Sequence, residues 1–133
     1  MATVYFGTNR RQTSPLSFGA VMGPPDRTGL ICAEATVEGV TLENADSGRI
    51  TAIMHETATG FAPATRQSIL GSGKDLLIFV HGFANAFESA ISRAAYNRDW
   101  FAASPGAARR YDGDRVHVAL RRRADRGAAV LSR

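Results

Sequence analysis

Residues Leu76 to Val80 form an unbroken apolar run, Leu-Leu-Ile-Phe-Val, that ends in His81-Gly82 and leads at once into a helix-forming pattern. An apolar run of strand length predicts a strand buried on both faces. Asn85 is a good helix N-cap, and Glu88 three residues later has capping-box spacing. Phe87, Ala90, Ile91, Ala94, Ala95 and Phe101 recur at helical spacing and make one apolar face, leaving Arg93, Asn97 and Arg98 for water. The helix is expected to stop near Ser104-Pro105-Gly106. A buried strand, a tight loop and an amphipathic helix open a β-α unit, so the expected fold class is α/β.

The rest of the first hundred residues supplies shorter elements. Thr3 to Phe6 is β-prone and is followed by a turn at Gly7-Thr8-Asn9-Arg10. Thr13 to Gly29 contains Pro15, Pro24, Pro25 and three glycines and reads as a loop. Leu30–Val37 and Ile50–His55 read as strands. Pro63 to Leu70 reads as a short helix, with proline suited to its first turn and Gly71 to its stop.

The 133 residues and 44% apolar content suit one domain with a core. No stretch is long and apolar enough to span a membrane, and the N-terminus lacks signal-peptide features. Cys32 is the single cysteine, which excludes an internal disulfide and suits a cytoplasmic location. Its apolar neighbours predict a buried packing role rather than a nucleophile.

The formal charge of +4 is unevenly spread. Residues 1–105 carry eight Lys/Arg against nine Asp/Glu, whereas 106–133 carry eight Arg against three Asp. The basic excess therefore lies wholly in the tail. Tyr111 is the only aromatic residue there, too little for base stacking, so no specific nucleic-acid binding is expected. The chain divides into a body, 1–105, and an Arg-rich tail, 106–133, expected to be disordered or off-frame. Within the tail, Val116, Val118 and Leu120 alternate as in a brief strand.

His81-Gly82 is the motif that carries chemistry. Acyl transfer builds negative charge on an oxygen, and backbone N–H groups aimed at that oxygen stabilise it. A His-Gly sequence in the loop after a strand is one source of such donors. Glycine permits close backbone approach, and Phe83 and Ala84 follow in position to offer the N–H. The candidate oxyanion loop is therefore His81, Gly82, Phe83 and Ala84.

Three features in order, Phe6-Gly7-Thr8-Asn9-Arg10, Phe79-Val80-His81-Gly82-Phe83-Ala84-Asn85, and the helix Phe87–Phe101, make the first hundred residues resemble the N-terminal portion of a bacterial α/β-hydrolase family of undefined substrate. The resemblance implies a partial α/β-hydrolase fold, a serine-hydrolase scaffold and a small acyl or ester substrate. Family members carry nucleophile, acid and base further along the chain.

The chain departs from that pattern. It has no Gly-x-Ser-x-Gly, Ser72 in Gly71-Ser72-Gly73 has the wrong spacing, and His117 in the tail is the last histidine. No catalytic nucleophile or base is identified, and the chain reads as an N-terminal hydrolase fragment, inactive alone. The alternative is a non-catalytic binding or interaction module on the same scaffold.

No cofactor or metal is expected. Gly71-Ser72-Gly73-Lys74 lacks the leading glycine and following Ser/Thr of a phosphate loop and precedes a strand. His55-Glu56 lacks a second histidine four positions after the first and reads as strand-end surface, while Asn9-Arg10 reads as fixing the entry strand to its neighbours. Codons for Arg115–Leu120, read one base later, can give Val-Phe-Thr-Trp-Pro-Ser, similar to the family's next strand, which suggests a frame-shifted tail. An incomplete sheet would expose an edge and favour self-association.

Overall fold

The computed structural model describes residues 1–22, 30–73, 76–81, 85–103 and 115–120, of which 21–22 and 115–120 as backbone. Its strands are β1 (Ala2–Thr8), β2 (Arg10–Ser14), β3 (Ser17–Met22), β4 (Ile31–Glu38), β5 (Arg49–Thr57), β6 (Leu77–His81) and β7 (Arg115–Leu120). The helices are α1 (Pro63–Leu70), between β5 and β6, and α2 (Phe87–Ala103), between β6 and β7.

Five strands form one sheet in the order β5-β4-β1-β7-β6, and β2 and β3 form a separate hairpin. β1 pairs antiparallel with β4, and β4 with β5. β7 pairs parallel with both β1 and β6. The α/β expectation is therefore corrected: among the described residues seven strands stand against two helices, and the chain is a small, mainly-β domain. The β-α unit at β6 and α2 is real, but it does not generalise. Among the described residues of the first 57 there are strands and no helix, and the strand pairs they form with one another are antiparallel.

Alternation along β1 explains the core. Val4 and Phe6 point to one face, where they meet Ala33, Ala35 and Val37 of β4 and Ile50 of β5. Helix α2 lies on this face through Phe87, Ala90, Ile91, Ala94 and Ala95, all fully buried as its spacing predicts. Alanines on both surfaces keep the helix close to the sheet. Phe18 of the hairpin completes the core, with ring centroids 5.7 Å from Phe6 and 4.9 Å from Phe87. Phe6 and Phe87 lie 5.1 Å apart, edge to face. Such contacts add about 0.5–1.5 kcal/mol per pair beyond area burial.

Two further expectations change. The segment read as a loop from Thr13 onward holds the end of β2, the Pro15-Leu16 turn and β3 of a hairpin. The Leu76–Val80 run is not buried on both faces. Among the described residues β6 ends the sheet, and Leu76, Ile78 and Val80 are 48%, 54% and 66% exposed. Only the opposite side, with Phe79 against the core and buried His81, is covered. Cys32 is buried, as its apolar context predicts. The alternating residues of the tail form β7, inserted between β1 and β6, while the other residues of 106–133 lie outside those described.

Candidate functional site

The carboxyl ends of three parallel strands stand level. Thr8 of β1 and His81 of β6 both register with Leu120 of β7, one from each side. With neighbouring strands about 4.8 Å apart, Thr8 and His81 bracket a row roughly 10 Å wide. In sheets with parallel strands, the carboxyl edge is where ligands are commonly received.

His81 sits at that edge and is 7% exposed, its ring 5.6 Å from Phe79 in an edge-to-face contact. Of the four residues of the expected oxyanion loop, His81 alone is described; Gly82, Phe83 and Ala84 lie outside the described residues. Asn85 lies just ahead of α2.

Helix α2 begins slightly later than the capping-box spacing predicts. Its first backbone bond runs from the Ala90 N–H to the Ala86 carbonyl, which makes Ala86 the cap residue. The Asn85 carbonyl instead accepts a hydrogen bond from Arg10 Nη2 at 2.8 Å. The Glu88 side chain accepts from the Ser17 hydroxyl, which ties the helix start to the hairpin.

Arg10 therefore fixes the entry strand to a neighbour, as its place after Asn9 suggests. Its backbone N–H donates to Thr8 Oγ1 at 3.1 Å, closing a small turn at the end of β1. The side chain then crosses to the segment leading into α2. Arg10 is 9% exposed, and its Nε–H has no acceptor; Asn9 Oδ1 is likewise buried without a donor. Among the described residues no carboxylate pairs with this guanidinium.

His55 is not plain strand-end surface. On β4 the step from Cys32 to Glu34 is two residues, while their partners on β5, Thr57 and Met54, are three apart. The extra residue makes a bulge, and His55 within it has φ +56°. Left-handed backbone costs a non-glycine residue roughly 1–2 kcal/mol. The bulge re-aims the imidazole, whose Nδ1–H donates to Glu34 Oε1 at 3.0 Å. The hydroxyl of buried Thr65 on α1 donates to the same oxygen. The triplet ties α1 and β5 to β4. A bulge is not marked by any pattern in the sequence, so this grouping was not foreseeable.

Ser72, a remaining sequence candidate, assembles no chemistry. Ser72 Oγ donates to the Ile69 carbonyl at 2.8 Å and serves the end of α1. An open groove of about 530 Å³ beside the hairpin is lined by Gln12, Thr13, Ser14, Pro15, Ile53 and Glu56, none of which belongs to the carboxyl-end row. Among the described residues no cluster of three or more His, Cys, Asp or Glu side chains is arranged to hold a metal. No described helix is long and apolar enough to cross a membrane. No known protein family, curated protein or solved structure matches this chain.

Proposed function

We propose that these 133 residues contribute the oxyanion turn of an acyl- or ester-hydrolysing protein, without a nucleophile of their own, and do not turn over substrate alone. The supporting observation is the position of His81. It is buried at the carboxyl end of β6, level with the ends of β7 and β1, and followed in sequence by glycine and then by α2. Backbone amides after such a strand end are where a developing negative charge is best met. The ordered motifs Phe6–Arg10 and Phe79–Asn85, with their resemblance to a bacterial hydrolase family, point the same way. The attacking serine and its base then come from sequence outside these residues, and the substrate is a small acyl or ester compound.

The coding DNA past residue 105 tests this. A single-base shift is expected to open a long reading frame with a Gly-x-Ser-x-Gly elbow and a later histidine. If no frame does so, the hydrolase reading falls and a non-catalytic binding role replaces it.

The same reading places the protein in the cytoplasm and gives it a tendency to self-associate. β6 offers an unpaired backbone edge among the described residues, with no charged side chain in Leu77–His81 to discourage a second strand. Ile78 and Val80 extend that edge with apolar surface.

A further inference from the structure

We propose that Arg10, with Asn9 and the first turn of α2, forms a binding site for an oxyanion group, a carboxylate or a phosphate, at the carboxyl end of β1. The inference does not rest on the hydrolase reading, since it concerns binding and needs no bond to break.

A buried guanidinium carries a large desolvation cost unless anionic and hydrogen-bonding partners offset it. The same chain shows how such partnering looks. Arg93 closes its Nε/Nη2 fork on Asp46, with both bonds at 3.0 Å. Arg10 has the same fork, but Nη2 reaches only a neutral carbonyl, and Nε–H reaches nothing. Arg93 is about two-fifths exposed and paired to a carboxylate, while Arg10 is nine-tenths buried and is not. That is the reverse of what solvation alone favours. A planar or tetrahedral oxyanion matches the fork geometry.

The surroundings favour the same charge. Through Asn85 the guanidinium is held at the mouth of α2, a 17-residue helix whose first-turn N–H groups carry partial positive charge. Glu88, the acidic residue of that turn, is engaged by the Ser17 hydroxyl of the hairpin. Asn9 and Asn85 are only partly buried and Ala86 is exposed, so the rim reaches water. Asn9, next to Arg10 in sequence, likewise keeps its Oδ1 buried and without a donor.

The test is a magnetic-resonance titration of the full ¹⁵N-labelled chain. The Arg10 Nε–H signal and the amides of Ala86–Ser89 are followed against sodium phosphate and, separately, sodium acetate, with sodium chloride at equal ionic strength as baseline. Saturable shifts at these positions with at least one of the two oxyanions, with a Kd of roughly millimolar order, support the site. Response to phosphate, to acetate or to both identifies which oxyanion the site takes. Arg10→Lys is expected to weaken binding about tenfold, since it keeps the charge and loses the fork, while Arg66→Lys on α1 leaves it unchanged. Drift no different from chloride overturns the proposal, as does saturation confined to the Arg109–Arg126 segment. If Arg10→Lys fails to fold, the wild-type map decides alone.

Discussion

Ser92 and Gly48 are joined by one hydrogen bond that locks α2 to the β4–β5 connection: the Gly48 N–H donates to Ser92 Oγ at 2.8 Å. The Ser92 hydroxyl in turn donates a hydrogen bond to the Ala45 carbonyl, also at 2.8 Å. Ser92 is 1% exposed, so both backbone groups depend on it. Ser92→Ala removes the partner of a part-buried donor and a part-buried acceptor and is expected to cost about 1 kcal/mol. Gly48→Ala is expected to be at least as harmful, because a Cβ there would stand 2.8 Å from both Ser92 Oγ and Val37 Cγ1. Urea denaturation of the two variants measures both; wild-type stability in either shows the link is dispensable.

The bulge at His55 makes an unusual ordering of variants. Both His55→Ala and His55→Gly lose the bond to Glu34, but only alanine retains the penalty of positive φ. The glycine variant is expected to be the more stable by about 1 kcal/mol, the opposite of the usual strand preference. Equal midpoints in denaturant would mean that His55 is not held in the left-handed region.

Two titrating groups give opposite pH limits. Hydrogen bonding and charge from Arg93 hold the Asp46 carboxyl below its ordinary value of 3.8. Its contribution is present above that value and is lost as pH falls through the lowered folded value. Because the pair is exposed, the loss should be small and should shrink further in salt. Burial pushes the Cys32 thiol above its ordinary value of 9.0. Its contribution is present below 9.0 and is lost as pH rises beyond it, when the unfolded thiol ionises first. Native Cys32 should therefore react slowly with a disulfide reagent at pH 8 and rapidly once denaturant is added; equal rates would place the thiol at the surface.

The open edge of β6 predicts concentration-dependent association. Ile78→Lys and Val80→Lys place charge on residues that are more than half exposed and should leave the fold intact. Analytical ultracentrifugation should show self-association of the wild-type chain that either substitution reduces. Unchanged association in both variants would point to another surface.

Nitrophenyl acetate should be hydrolysed by this chain no faster than by buffer carrying equivalent free imidazole. Turnover abolished by replacing one particular serine would reveal a nucleophile that neither the motifs nor the described geometry display.

Local pattern carried most of the element list. α1 follows from Pro63 and Gly71, and α2 from the spacing of Phe87 through Ala95, because helical periodicity is written in neighbouring residues. β1, β4, β5 and β7 follow from runs or alternation read over a few positions. The β2–β3 hairpin was obscured by prolines and glycines that mark a turn as readily as a loop. His81 was legible as a strand end before glycine. Its burial, and its level placement with Thr8 across β7, depend on a pairing order that joins residues far apart in sequence. Equally non-local are the edge position of β6, which turns a fully apolar run into a half-exposed strand, and the reach of Arg10 to a carbonyl 75 residues away. Periodicity assigns a residue to a face; only packing of the whole sheet decides what covers that face and which buried charges go unpaired.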